Sequence, residues 1–147
     1  MGKVDQGFFV LWAARHVYGG RLAYSGFGGY GHQVRDILHV ADLFDLICRQ
    51  IDAFERHSGK TYNVGGGMAL SVSLAELTAL CATRTGEPLE VGSDPMTRPA
   101  DIPYYVTDTA AVSHATGWAP THTVETILDE VFEWLVRHRA QVEPLLR

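Results

Sequence analysis

The stretch that decides the fold is QVRDILHVADL, residues 33–43. Residues 33–39 have the composition of an extended segment, and from Val40 onward apolar residues recur at three- and four-residue spacing. This spacing predicts an amphipathic helix that ends near Gly59. Its predicted core face comprises Val40, Leu43, Phe44, Ile47, Cys48 and Ile51, and its opposite face carries Asp42, Asp45, Arg49, Gln50 and Asp52.

Helical and extended segments alternate on both sides of this stretch. Ser73 and Glu76 form a capping-box pattern that predicts the start of a helix ending at Gly86. Further helices are predicted over residues 3–18, from Asp108 to Gly117 and after Thr123, and strands over residues 21–24, 61–64, 89–91 and 104–107. Such alternation predicts an α/β fold class.

Composition predicts one soluble globular domain, residues 1–147. The chain is 46% hydrophobic and 20% charged, and a chain of this length sustains one core. A formal net charge of −5 argues against a nucleic-acid partner, and no apolar run is long enough to predict a membrane partner. The two cysteines, Cys48 and Cys81, are predicted to be reduced core residues, which indicates a cytoplasmic protein.

Two local patterns that suggest cofactors or metals are weak. Residues 26–31, GFGGYG, match G-x-G-x-x-G, but a dinucleotide site needs a helix to begin at the last glycine, and an extended segment follows here. A flexible loop is the better interpretation. The seven histidines include no pair three or four residues apart, so no metal site is predicted.

Two arginines stand where an anion could be bound. Arg35 lies on the extended segment before a helix, and Arg98 lies on a proline-stiffened loop before a strand and a helix. Together the two guanidinium groups could clamp a diphosphate, and Asp101 could accept hydrogen bonds from a ribose. The alternative is that each arginine pairs with a neighbouring carboxylate, such as Asp36 or Asp101.

Several motifs in order make the chain resemble the C-terminal half of NAD-dependent sugar-nucleotide epimerases and dehydratases, in the extended short-chain dehydrogenase/reductase family. The motifs are QVRDILHVADL at 33–43, YNVGGG at 62–67, SLAEL at 73–77, RPAD at 98–101 and a segment over 108–120 that ends in GWAP. Within this family, residues 5–7 and 31–36 are most similar to the 2-epimerases of CDP-tyvelose and CDP-paratose.

The resemblance implies that this region and the rest of the family fold bind different ligands. It implies that Arg35 and Arg98 bind the diphosphate of a nucleotide sugar, here a CDP-sugar, and that Asp101 faces the ribose. The family's NAD-binding Rossmann half precedes this region, so a partial fold that binds no cofactor alone is expected. The family's Tyr-x-x-x-Lys motif is missing, because the only lysines are Lys3 and Lys60 and Arg56 stands four places before Lys60. No catalytic residue is therefore predicted.

Three functions remain open from the sequence. The first is a nucleotide-sugar-binding domain that does not catalyse epimerisation alone. The second is a structural or oligomerisation module that has lost ligand binding, and the third is one half of a split epimerase. Retention of both arginines and Asp101 favours the first function over the second.

A homo-oligomer is expected as well. The first predicted helix is apolar almost all round, and a monomer of this size has too little mass to cover it. In the family, part of the region over residues 39–65 lies against the cofactor domain, so the predicted strand over 61–64 is expected to be an unpaired edge. The predicted dimer interface contains the first helix.

Overall fold

A computed structural model describes residues 7–146, and it confirms the α/β class. The helices are α1 (Phe8–Tyr18), α2 (Val40–Asp52), α3 (Phe54–His57), α4 (Leu74–Thr85), α5 (Ala110–Thr116), α6 (Val124–Arg137) and α7 (Arg139–Leu146). The strands are β1 (Leu22–Ser25), β2 (Val34–Asp36), β3 (Ser71–Ser73), β4 (Val91–Asp94) and β5 (Tyr104–Tyr105). The predicted start of the first helix, residues 3–6, lies outside the described residues. No helix within residues 7–146 has the length and apolar character needed to cross a membrane.

Contacts divide the chain into two compact units. The first comprises Met1–Gln33, Ser73–Pro103 and Glu125–Arg147, and the second comprises Val34–Val72 and Tyr104–Val124. In the first unit β1 and β4 run parallel, with Leu22 opposite Val91 and Ser25 opposite Asp94. The predicted strand over 89–91 therefore lies a few residues later in the chain, at β4.

Helix α1 is buried inside its own unit, where it packs on α4 and α7. The side chain of Trp12 donates a 2.8 Å hydrogen bond to the Thr78 hydroxyl, and the Tyr18 hydroxyl donates a 2.7 Å bond to the Leu135 carbonyl. Phe9, Trp12, Ala13, Ala14 and Tyr18 are all buried. The expectation that one chain cannot cover this helix is wrong for these five residues, which its own unit buries, whereas Val10 is 37% exposed.

Helix α4 begins and ends as the sequence predicts. Ser73 accepts a hydrogen bond from the Glu76 amide, and the Glu76 carboxylate accepts one from the Ser73 amide at 2.8 Å. Gly86 ends the helix with a left-handed φ of 76°, which glycine adopts without strain. Both ends are thus fixed by local hydrogen bonds that short-range sequence patterns encode.

In the second unit, a three-stranded sheet has the order β3-β2-β5, and β2 pairs with β5 in parallel. Its core cluster comprises Leu46, Val112 and Trp118, with Leu38, Tyr62 and Val64 packed against it. The predicted strand over residues 61–64 is wrong: these residues form no strand. Their alternating apolar side chains pack on the core cluster, which satisfies the same pattern without strand pairing.

The orientation of α2 is opposite to the prediction. Val40, Phe44 and Ile51, assigned to the core from their spacing, are 73%, 66% and 65% exposed. Asp42, assigned to the solvent face, is 3% exposed, and Leu46 is 1% exposed. The helix turns this way because Trp118 donates its indole hydrogen to the Asp42 carbonyl at 2.9 Å, while the Asp42 carboxylate binds the segment after Trp118.

We predict that Trp118→Phe lowers the free energy of unfolding by about 2 to 3 kcal/mol, because it removes buried volume and the indole hydrogen bond. The matched control is Trp134→Phe, since Trp134 is 46% exposed. We expect the control to change stability by less than about 0.5 kcal/mol. Urea unfolding followed by circular dichroism measures both variants, and equal effects would contradict the core assigned here.

Candidate functional site

Two polar loops meet at the carboxyl ends of β1 and β4. The glycine-rich loop over residues 26–31 follows β1, and the loop over residues 95–103 follows β4. The Phe27 amide donates a 2.8 Å hydrogen bond to the Thr97 hydroxyl, and the Gly26 amide donates a 2.7 Å bond to the Asp94 carbonyl. The carboxyl ends of parallel strands are where α/β proteins bind their ligands. This end of the β1–β4 pair is the candidate functional site.

Close backbone approach brings the glycine loop beside Asp101. A Cβ placed on Gly26 would lie 3.5 Å from the Thr97 Cα and 3.7 Å from an Asp101 carboxylate oxygen. Gly26 has a φ of 82°, and Phe27, at 48°, is the one non-glycine residue among those described with a positive φ. Strained backbone of this kind is concentrated at functional sites.

No helix begins at Gly31, the last glycine of the loop, although residues Phe27–Gly29 form a single 3₁₀ turn. After Gly31 the chain enters β2 at Val34, as the sequence analysis predicts. Helix-terminal amides, which hold the pyrophosphate in a dinucleotide site, are therefore missing from this loop. What the loop offers instead is a backbone close to the Asp101 carboxylate.

Arg98 and Asp101 lie on one exposed turn of the second loop. The Asp101 amide donates a 3.0 Å hydrogen bond to the Arg98 carbonyl, which closes the turn. Within residues 7–146 the two side chains form no ion pair with each other. The structure therefore does not show the alternative in which Asp101 forms an ion pair with Arg98. Both side chains are exposed and accessible to a ligand.

Arg35 lies on β2, opposite Tyr105 of β5, and its Nη1 donates to the Val34 carbonyl at 2.7 Å. The adjacent Asp36 accepts a 3.0 Å hydrogen bond from the Gly67 amide, so its carboxylate fixes the glycine turn over residues 65–67. Arg35 belongs to the second unit, whereas Arg98 and Asp101 belong to the first. A joint clamp by the two arginines stays a prediction.

Sequence reasoning missed a cluster around the Asp42 carboxylate. This group accepts hydrogen bonds from the Thr121 amide at 3.1 Å, from the Thr121 hydroxyl at 2.8 Å and from the His122 amide at 3.3 Å. The His122 Nδ1 lies 2.9 Å from the same carboxylate. The His39 ring stacks on His122 with centroids 4.0 Å apart, and His39 Nδ1 accepts from the Ala41 amide. Asp42 thereby joins the start of α2 to residues 121–122.

The electrostatics of this cluster favour an ionised carboxylate at neutral pH. Burial raises the pKa of Asp42, but the hydrogen bonds from Thr121 and His122 outweigh burial and lower this pKa to about 2. Since every one of these donors is used to hold the chain together, the cluster is an anchor for the fold. The sequence signal was the placement of Asp42 in the first turn of α2, but its partners stand about 80 residues away.

The cysteines take no part in the site. Cys81 is fully buried, and burial raises the pKa of its thiol to about 12, so it is unreactive near neutral pH. Cys48 is half-buried, and both thiols are free. The predicted core position is confirmed for Cys81, whereas Cys48 is only partly in the core.

The fold and the site define an α/β protein with two polar loops at the carboxyl ends of parallel strands. Solved structures with this fold include dTDP-glucose 4,6-dehydratase from Bacillus anthracis in complex with NAD, with a TM-score of 0.71 and 23% identity over 97% of this chain and 43% of that one. Another is UDP-glucose 4-epimerase from Bifidobacterium longum in complex with NAD⁺ and UDP, with a TM-score of 0.71 and 23% identity over 90% of this chain and 40% of that one.

Among proteins with known activity, the chain is similar to CDP-paratose 2-epimerase of Salmonella typhi, at 27% identity over 106 residues, 72% of this chain and 31% of that protein. It is also similar to probable UDP-arabinose 4-epimerase 1 of Oryza sativa subsp. japonica, at 31% identity over 78% of this chain and 27% of that protein. No family model matches the chain. The resemblance to part of the sugar-nucleotide epimerases and dehydratases is confirmed, and the chain spans between a quarter and a third of these two relatives' length.

We predict that Asp42→Asn lowers the free energy of unfolding by about 2 kcal/mol at neutral pH. The pKa of Asp42 is about 2 in the folded chain, below its ordinary value of 3.8, so the ionised carboxylate stabilises the fold above about pH 4. That contribution is lost as the pH falls through the folded pKa toward 2.

Chemical unfolding between pH 2 and 7 tests this prediction. The control is Asp45→Asn on the same helix, where the carboxylate is half-exposed and, within residues 7–146, pairs only with Arg49. We expect the control to change stability by less than about 0.5 kcal/mol at any of these pH values. If Asp42→Asn were as stable as the parent chain at neutral pH, the anchor would be refuted.

Proposed function

We propose that this chain is the sugar-nucleotide-binding part of an epimerase- or dehydratase-type activity. In this proposal Arg98 and Arg35 bind the diphosphate, and Asp101 accepts hydrogen bonds from the ribose. The observation that supports it most strongly is the meeting of the two loops at the carboxyl ends of β1 and β4. That meeting leaves the exposed Arg98 and Asp101 on one turn, close to Gly26, where an added Cβ would lie 3.7 Å from the Asp101 carboxylate.

The chemical class of the ligand follows from this arrangement and from the relatives. A guanidinium group binds phosphate oxygens with two parallel hydrogen bonds, and a carboxylate suits the hydroxyls of a ribose. The relatives are named for CDP-, UDP- and dTDP-linked sugars. We propose a nucleoside diphosphate sugar as the ligand, with a CDP-sugar as the first to be tested.

Redox chemistry is assigned to another part of the active protein. Epimerisation or dehydration in these relatives' class involves a nicotinamide, and a hydride transfer of that kind needs a cofactor site and a group that moves a proton. The 147 residues contain no Tyr-x-x-x-Lys sequence. We therefore propose that this chain binds and orients the nucleotide sugar, and that NAD is held outside it. The cytoplasm is the expected compartment.

A second candidate function, one half of a split epimerase, is favoured by the outward face of α2 and α3. A stripe of large apolar side chains faces solvent along these helices: Val40, Phe44, Ile47, Ile51 and Phe54. Such a stripe is unusual for a protein that acts alone, and it is suited to an interface. We propose that the stripe packs against a cofactor-binding part, or against a second copy of the chain when that part is missing.

Nucleotide binding tests the first proposal. We expect CDP, UDP or dTDP to bind the chain in isothermal titration calorimetry, and Arg98→Gln to weaken that binding by about tenfold or more. Arg137→Gln is the control, because Arg137 is an exposed arginine of the same unit outside both loops. NAD is expected not to bind. If none of the three nucleotides bound, or if Arg98→Gln bound them as well as the parent chain, the proposed site would be wrong.

Light scattering tests the proposed interface. We expect the parent chain to self-associate with rising concentration, and the double variant Phe44→Ser, Ile51→Ser to shift toward the monomer. Stability is expected to change by less than about 1 kcal/mol, because both side chains are about two-thirds exposed. A parent chain that stays monomeric at high concentration would leave no role for the stripe in self-association. A dimer that both substitutions leave intact would place the interface elsewhere.

A further inference from the structure

An exposed aromatic side chain stands on the glycine-rich loop of the candidate site, and the proposed function gives it no role. The two loops of the site contain two aromatic residues, and both lie in the loop over residues 26–31. Phe27 is half-buried, whereas Tyr30 is 66% exposed. A ring with that exposure adds little to the core. On a loop at a ligand site, it is well placed to contact a ligand.

The Tyr30 ring lies against the backbone of Gly28. A Cβ added to Gly28 would come within 2.6 Å of the ring carbon Cε2, so only glycine leaves room for the ring there. Gly28 also has a φ of 82°, which glycine adopts without strain. The His32 ring lies beside the Tyr30 ring, with centroids 5.8 Å apart and planes tilted by 31°. These two neighbours fix the position of the Tyr30 ring and leave most of its surface accessible.

The loop that carries Tyr30 is anchored at both of its ends. At the first end, the Gly26 amide donates a 2.7 Å hydrogen bond to the Asp94 carbonyl. At the second end, the Gly31 carbonyl accepts a 2.9 Å hydrogen bond from the Ala75 amide. A side chain on a loop fixed in this way loses little conformational freedom when a ligand binds, and this favours affinity.

The same loop connects the Tyr30 ring to the Asp101 carboxylate. The ring contacts Gly28, and a Cβ added to Gly26 would lie 3.7 Å from an Asp101 carboxylate oxygen. Because Gly26 and Gly28 stand two residues apart in a 3₁₀ turn, the ring carbon and that oxygen are at most about 15 Å apart. This distance is comparable with the length of a nucleoside diphosphate. A nucleotide whose ribose lies at Asp101 therefore has its base near the loop that carries Tyr30.

We propose that Tyr30 is the platform on which the base of the bound nucleotide stacks. The inference rests on the proposed function, in which Arg98 and Asp101 bind the diphosphate and the ribose and leave the base without a partner. Stacking uses the face of the base, which every base offers, whereas hydrogen bonds to the edge of a base distinguish one base from another. The Tyr30 ring therefore adds affinity for nucleotides with little preference among cytosine, uracil and thymine.

Calorimetry with ligands that carry or lack a base tests the platform in the full chain. We expect CDP, UDP and dTDP to bind within about tenfold of one another, and inorganic pyrophosphate to bind about tenfold or more weakly than CDP. Tyr30→Ala is expected to weaken CDP binding about tenfold and to leave pyrophosphate binding unchanged. Tyr30→Phe keeps the ring and should bind CDP as the parent chain does. The control is Trp134→Ala, an exposed aromatic residue of the same unit outside both loops, and it should also bind CDP as the parent chain does.

The Arg98 variant separates this inference from the proposed function. Arg98→Gln is expected to weaken the binding of both CDP and pyrophosphate, because it removes a contact to the diphosphate, whereas Tyr30→Ala weakens CDP binding alone. If CDP binding depended on Arg98 but Tyr30→Ala bound CDP as tightly as the parent chain, only the platform would be wrong. If no nucleotide bound, or if CDP binding did not depend on Arg98, the proposed site would be wrong and the platform with it.

Nuclear magnetic resonance gives a readout that a purely structural role of Tyr30 would not produce. In the full chain with ring-¹³C-labelled tyrosine, the Tyr30 signal is assigned by its loss in Tyr30→Phe. We expect nuclear Overhauser contacts between the Tyr30 ring protons and the ring protons of the cytosine base in bound CDP. A CDP complex in which these contacts are missing would overturn the platform.

Discussion

The buried carboxylate of Asp42 is the constraint on which the second unit depends. It is 3% exposed, ionised, and bonded to the backbone and side chains of residues 121 and 122. Separating residues 121 and 122 from α2 would leave the ionised Asp42 carboxylate in an apolar setting. This would destabilise the fold by far more than the loss of a surface contact. The neighbouring indole bond from Trp118 to the Asp42 carbonyl strengthens the same junction. Position 42 thus decides which face of α2 points inward.

The outward face of α2 is the consequence of this anchor. With Asp42 and Leu46 inside, the apolar stripe from Val40 to Phe54 must face solvent or a partner. The Asp42 anchor therefore determines both how α2 packs in its unit and which of its side chains are exposed for an interface. The first unit shows the opposite arrangement, because α1 is covered by α4 and α7, and no partner is needed to bury it. The surface that we propose for association lies on α2 and α3, within the region over residues 39–65, and not on the first helix that the sequence analysis expected in a dimer interface.

Local patterns were predictable from the sequence, and long-range ones were not. The capping box of α4, the glycine that ends it and the end of α5 at Gly117 depend on residues a few positions apart. Which face of α2 is buried depends on a hydrogen bond between Asp42 and the His122 amide, 80 residues later. Hydrophobic periodicity predicts the spacing of apolar side chains but not whether they face the core or the solvent. At the site, the sequence placed Arg98 and Asp101 close together, but only the fold brings Gly26 beside Asp101.

Solvent exposure of the α2 side chains tests this account most directly. A soluble gadolinium chelate broadens the methyl signals of exposed side chains in proportion to their accessibility, at dilutions where the chain does not self-associate. The account predicts strong broadening for Val40 and Ile51 and protection for Leu46, whose exposures are 73%, 65% and 1%. Protected Val40 and Ile51 methyls beside an exposed Leu46 would contradict the orientation that Asp42 imposes, and with it the proposed interface.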